Sequence, residues 1–373
     1  MRSRVSSVVV LLVACAVAGS ALVGCQFGAT PVAEAKEKDP ALIRLGNLLA
    51  RTDGHPSSAE LADFEGSVRG TRAAALARFL RGYLAADAQD WSGAAAALDT
   101  TDIADKTAIG DYAMLYRGRA LVQTGRAADA IGVLEQIRTR YPQSLLLHDA
   151  TIEAARAALG TGDAARAEKL CQPLVEANDA DALMIVAGIR QSAGDTPGEI
   201  DAFRRAYFLD PASPAAATAA AQLTTLGADP SQGEAMEAEL RARATELFAA
   251  QRWQEASDAY GRLLVLYPAL QDREQLNLMR GTAAGNARDA ATAAVTLTLV
   301  SNRDPELQAQ ALYQLAMAYK RAIQYDQYEA TGSRLKSLYP KSDWTGKFLG
   351  DYSDYLESKN RLAEQYQVQR ALI

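Results

Sequence analysis

Alanine and larger apolar residues return along this chain at helical spacing, and single glycines and prolines interrupt them at intervals instead of clustering. That pattern predicts short helices packed closely on one another. β-Branched and aromatic residues are too few for a sheet protein, with aromatics at 7% against 49% hydrophobic residues overall. One run departs from the pattern. Val8 to Val17 is unbroken and apolar, follows Arg2 and Arg4, and is too short to span a membrane, which is the form of a signal-peptide core.

Aligned on itself, the chain repeats with a unit of about 34 residues. The clearest copy, 111–144, has Gly118 at its eighth position, Gly125 at the turn, Ala130 at its twentieth and Pro142 at its thirty-second. Small residues at eight and twenty let two helices approach, and the proline is expected to stop the second. The same register starts at Ala75, His148, Ala180, Glu237, Glu274, Ala309 and, in degenerate form, Asp343. Length and positions together resemble the tetratricopeptide repeat, so the expected fold is an all-α, tetratricopeptide-like solenoid. It would be a right-handed superhelix of about seven helical hairpins plus capping helices.

The spacing between starts is irregular once, between the units at 180 and 237. Residues 214–226 read there as an additional helix, with Pro214 at its start and Gly227 at its end. The loop 228–233 after it is the expected division, giving solenoid halves at 41–227 and 228–373. Ser58 is expected to cap a helix in the N-terminal cap region 41–69, and the tail from Trp344 should close the other end.

The N-terminal run ends in Leu22-Val23-Gly24-Cys25, which resembles the bacterial lipobox. The resemblance implies a signal peptide over 1–24, a diacylated Cys25 as mature N-terminus and a polar tether over 25–40. Gln26 in place of aspartate favours outer-membrane sorting, facing the periplasm.

Chemistry is sparse. With 39 basic against 45 acidic residues and a net charge of −6, no polybasic surface suggests nucleic acid. His55 in a Pro/Ser turn and His148 at a repeat start read as structural, and Cys171 as core. No phosphate loop, nucleophile elbow or zinc-ligand pair occurs, so no metal, cofactor or enzymatic activity is expected. The carboxylates read as solvated faces, and the aromatic residues recurring at Trp91, Tyr141, Trp253, Tyr267, Tyr325 and Tyr339 as packing.

In the tetratricopeptide fold the inner face is lined by positions 2, 5, 9 and 12 of each first helix. Here these include Tyr83, Tyr112, Arg119, Arg156, Gln191, Arg241, Tyr313 and Lys320. Arginine and tyrosine on a concave face suit carboxylates of a peptide or glycan. An ordinary solvent face is the alternative.

Phe79-Leu80-Arg81-Gly82-Tyr83, Asp111-Tyr112-Ala113, Phe203-Arg204-Arg205-Ala206-Tyr207 and the Tyr-Pro steps at 141, 267 and 339 further resemble the superhelical region of soluble lytic murein transglycosylases. That family carries its acid glutamate in a Glu-Ser step of a following lysozyme-like domain. The one Glu-Ser here, Glu357-Ser358, lies in the terminal hairpin without the accompanying Gly-Leu-Met-Gln, so no catalytic role is transferred. The expected function is a non-enzymatic envelope scaffold for a protein or peptidoglycan ligand. An outer-membrane protein assembly lipoprotein, or a transglycosylase fragment without its catalytic domain, stays open.

Overall fold

A computed structural model describes residues 39–50, 55–230 and 236–371. The signal segment, Cys25 and the tether up to residue 38 lie outside the described residues, as do 231–235 of the expected dividing loop. Among the described residues all regular structure is helical, in twenty helices.

Eight pairs form the repeating part. They are α3 (Arg72–Asp87) with α4 (Trp91–Leu98), α6 (Gly110–Gln123) with α7 (Ala127–Arg140), α8 (Leu147–Gly160) with α9 (Ala164–Glu176), and α10 (Ala180–Ser192) with α11 (Thr196–Leu209). There follow α13 (Glu237–Ala249) with α14 (Trp253–Leu266), α15 (Arg273–Asn286) with α16 (Ala290–Leu297), α17 (Pro305–Arg321) with α18 (Tyr325–Leu338), and α19 (Asp343–Ser358) with α20 (Leu362–Ala371). Outside the pairs stand α1 (Pro40–Leu49), α2 (Ser58–Ser67), α5 (Asp102–Lys106) and α12 (Pro214–Thr225). The last is the additional helix expected from sequence, with Gly227 in the left-handed region after it. α5 was not foreseen. Ser57, not Ser58, caps α2, in a reciprocal box with Glu60. The last two residues of the expected tether, 25–40, belong to the first helix: Asp39 caps α1 and Pro40 is its first residue.

Every pair turns on three residues, and the turn repeats in detail. The middle residue has positive φ in all eight: Gln89, Gly125, Gly162, Gly194, Gln251, Arg288, Ile323 and Asn360. The third residue sends its N–H back to the carbonyl five residues earlier at 2.8–3.0 Å, from Asp90 to Ala85 through Arg361 to Leu356. This is the Schellman closure, which needs a left-handed residue. In seven of the eight, Gln324 being the exception, the third residue also starts the second helix in one of two ways. Asp90, Asp163, Asp195 and Asp289 accept an N–H from three residues on, whereas Arg126, Arg252 and Arg361 pair with an acid there.

Ile323 is the costly occupant, since a β-branched side chain in the left-handed region crowds its own backbone and is 72% exposed here. Ile323→Gly is therefore expected to raise stability by about 1 kcal/mol, the relief of strain exceeding the added freedom of the unfolded chain. The midpoint of denaturant unfolding reads this out.

Packing inside the pairs follows the eighth position. A Cβ on Gly82 would stand 2.5 Å from Leu98 Cγ, and one on Gly118 equally close to Leu134. Gly281 faces Leu297 in the same way. Where the eighth residue is alanine (Ala155, Ala187, Ala244, Ala316), the residue in leucine's register is Cys171, Phe203, Tyr260 or Gly332. A branched Cγ demands glycine opposite, whereas a slim or flat group tolerates a methyl. Cys171 is fully buried, as expected of core. Pro305 is an exception to its expected role: α16 has already ended at Leu297, and Pro305 opens α17 behind the cap Asp304.

The chain divides into two compact units, one ending at Ala177 and one beginning at Asn178, so that α12 and its following loop stand inside the second unit. In the first, Leu45, Leu61, Leu76, Phe79 and Ile103 join α1, α2, α3 and α5 in one core, which places α1 and α2 as a cap. In the second, Phe208, Leu240, Leu247, Tyr260 and Leu263 form one core, and Tyr328, Phe348, Tyr355 and Leu356 another at the terminal hairpins.

Candidate functional site

The eight residues expected on the inner face part into three groups. Tyr83 is core and must be removed from it: 3% exposed, it stacks on Phe79 and meets Tyr116 edge-on at 5.1 Å. The helix turns this ring inward because Leu76, Phe79 and Leu80 on the same helix already face α1 and α2. Tyr112 is half-buried against the same core. Arg156 on α8 and Gln191 on α10 are exposed.

The remaining four reach acids of the following hairpin. Arg119 on α6 donates to Asp149 at 3.2 Å and Glu153 at 3.3 Å, both on α8. Arg241 on α13 donates to Asp272 at 2.6 Å, just before α15, and to Glu237 on its own helix. The guanidinium holds the Asp272 carboxyl below the usual carboxylate range. On α17, Tyr313 donates to Asp351 of α19 at 2.9 Å, and Lys320 donates to the Asp351 carbonyl at 3.1 Å. Burial, then the nearby carboxylate, pushes the Tyr313 phenol up to about 12, so it stays a donor. These side chains join one first helix to the next. Being about a third exposed, Arg119 and Arg241 still present part of their guanidinium to solvent.

Gln191 donates to Glu199 at 3.0 Å, and Glu199 is 4% exposed. The reading of all carboxylates as solvated is corrected there. Glu199 occupies the twentieth position, where most other units have alanine, and the amide compensates its burial. His55 is exposed, and His148 lies 3.4 Å from Asp149. Glu357 is exposed at the end of α19 and accepts from Gln365. Among the described residues, no His, Cys, Asp and Glu cluster could hold a metal ion and no helix is long and apolar enough to cross a membrane.

At the terminal hairpins Glu329 on α18 gathers donors from α19 and the last turn. Tyr352 donates at 3.1 Å, Tyr355 at 3.2 Å, and Arg361 closes on both oxygens. Arg361, chiefly, holds this carboxyl below its ordinary value of 4.5. A depressed carboxyl stabilises the fold above the unfolded-state value, and that contribution is lost as pH falls through the folded one. Glu329→Gln is thus expected to lower the unfolding midpoint at pH 7, with the gap to the wild type narrowing as the pH is taken below the ordinary carboxyl value of 4.5. Denaturant titrations at pH 7 and across the acid range check it.

A second row of arginines was not anticipated. Arg81, Arg117, Arg243 and Arg280 hold the seventh position of their first helices, directly before the small eighth residue. Each turns back toward a preceding element: Arg81 to Glu65 at 3.0 Å, Arg117 to Asp99 at 2.6 Å, Arg243 onto the Tyr207 ring at 3.8 Å, and Arg280 against Gly261. The Nε atoms of Arg81, Arg117 and Arg280 are buried without an acceptor. Three cavities, of about 430, 320 and 250 Å³, are lined by Arg81, Arg117 and Arg243 in turn. The signal was in the sequence as Arg-Gly at 81, 117 and 280 and Arg-Ala at 243.

Residues 112–144 and 152–217 match two models of the tetratricopeptide repeat. No protein of curated function matches the chain by sequence. Among solved structures the chain is similar to a tetratricopeptide repeat protein from Parabacteroides merdae, at 10% identity over 73% of this chain and 95% of that one, with a TM-score of 0.31. It is also similar to the apo form of the quorum sensor NprR from B. thuringiensis, at 12% identity over 89% and 96% of the two chains, with a TM-score of 0.28.

Proposed function

We infer that this all-α solenoid of tetratricopeptide-like hairpins, a repeat architecture that generally serves as a protein-binding scaffold, acts as one. We propose that this chain is a non-enzymatic scaffold lipoprotein of the cell envelope, anchored through Cys25 and working in peptidoglycan metabolism. The observation that carries the reading is the register of the hairpins: the same turn recurs in each, and in the first unit the repeated first-helix face carries the exposed Arg156 and the part-exposed guanidinium group of Arg119 beside Asp149 and Glu153. Such a face suits an extended polar ligand, a peptide or peptide-bearing glycan, held by charge-assisted hydrogen bonds. The lipobox-like Leu22-Val23-Gly24-Cys25 supports the envelope location.

The test is co-sedimentation of the full chain with purified murein sacculi. Retention of the wild type, weakened in Arg156→Ala, supports the reading. A chain that stays in the supernatant and co-purifies with β-barrel assembly components would replace it by an outer-membrane assembly role. Release of the chain from membranes by Cys25→Ala tests the anchor separately.

A further inference from the structure

The largest of the three arginine-lined cavities, about 430 Å³ in the first unit, gathers more arginines than either of the other two. Its walls come from α2 (Ala62, Glu65, Gly66), the turn at Arg69 and Gly70, the first half of α3 (Ala74, Ala75, Arg78, Arg81) and Asp102 of α5. Three guanidinium groups therefore meet two carboxylates. Asp102 is held by Lys106 at 2.8 Å, which leaves Glu65 as the acid shared by Arg78 and Arg81. Glu65 Oε2 makes its contact with Arg81 without hydrogen-bond geometry, and Arg81 Nε is buried with no acceptor. Arg69 is exposed and forms no ion pair or hydrogen bond among the described residues.

The surroundings add to this positive excess. Ala74 and Ala75 belong to the first turn of the sixteen-residue α3, whose N-terminal dipole favours negative charge. Gly66 and Gly70 leave the rim open, since a Cβ on either would meet nothing within 4 Å.

We propose that this cleft binds a phosphate group, with Arg69 and Arg81 as its principal donors and Arg78 held in place by Glu65. Phosphate fits better than a single carboxylate for two reasons. Its double charge matches the excess left once Asp102 is paired with Lys106, and its several oxygens can meet guanidinium groups arriving from both α3 and the preceding turn. The volume exceeds that of the anion alone, so the natural ligand is a phosphomonoester, either soluble or the headgroup of phosphatidic acid.

Calorimetric titration of the full chain with inorganic phosphate and with glycerol phosphate, at constant ionic strength set with chloride, tests the site. Saturable binding, weakened about tenfold or more in Arg69→Ala and in Arg81→Gln, is expected. Arg117→Gln, in the neighbouring cavity, should leave it unchanged. Arg69 is exposed and holds no ion pair or hydrogen bond among the described residues, so its variant should retain the wild-type circular dichroism and melting curve, and it keeps the test decisive even if Arg81→Gln fails to fold. Vesicles containing phosphatidic acid, whose headgroup is a phosphomonoester, distinguish the source. Sedimentation with vesicles that depends on Arg69, without binding of the soluble phosphates, assigns the headgroup. No saturable binding of any of the three, or binding equal in Arg69→Ala, overturns the proposal.

Discussion

Alanine at Gly332 is expected to cost the fold about 3 kcal/mol, the upper end of what one inserted methyl does to a packed core. The seventh hairpin exchanges the usual sizes of two positions. Its twentieth position, alanine in most units, is Tyr328, and its twenty-fourth, usually large, is Gly332. The rim of the Phe348 ring fills the vacated space, and a Cβ on Gly332 would sit far inside van der Waals contact with three of its carbons. Phe348 is 1% exposed and stacks on Tyr352 at 5.4 Å, so it has no room to retreat. Denaturant unfolding measures the loss, and Phe348→Leu added to Gly332→Ala should restore part of it. Gly350 supplies the control. It stands at the eighth position of its helix with nothing within 4 Å of an added Cβ, so Gly350→Ala should stabilise by about 0.5–1 kcal/mol. Equal effects at the two sites would refute this account of the core.

Removing a hydroxyl beside it is expected to act in the opposite sense. Tyr328 is fully buried, and its OH has no hydrogen-bond partner. Burial raises its pKa, followed by the charge of Asp351, so the phenol stays neutral and its O–H is lost to water without replacement. The ring itself is well placed, edge-on to Tyr355 at 5.2 Å and 5.4 Å from Phe348. Tyr328→Phe keeps those contacts and deletes the orphaned group, and should stabilise by about 1–2 kcal/mol. A rise in melting temperature is the expected reading, and a fall would mean that the hydroxyl bonds a trapped water whose loss matters more.

The candidate face was legible as a register and illegible as chemistry. Counting from Gly118 or Gly125 places Arg119, Arg156 and Arg241 on first helices, because helical period and repeat length are local properties. Whether such a residue is available for a ligand depends on the hairpin that follows. Arg119 meets an aspartate 30 residues away and Tyr313 one 38 residues away, while Arg156 is exposed. Tyr83 was misplaced for the same reason, since it lies in a core that α1 and α2, outside any repeat, help to build, and its ring meets Tyr116 of the following hairpin.

The hairpins, their small eighth positions, the additional helix behind Pro214 and the core place of Cys171 followed from the sequence alone. Each rests on contacts within one helix or one turn, where residue type decides the conformation directly. Tertiary structure decided the rest. It showed that a left-handed turn residue need not be glycine, as at Ile323, and that Glu199 is buried. It also showed that the seventh-position arginines line cavities against the preceding element. Those outcomes depend on which group a neighbouring hairpin brings within a few ångströms, and a repeat register carries no information about that.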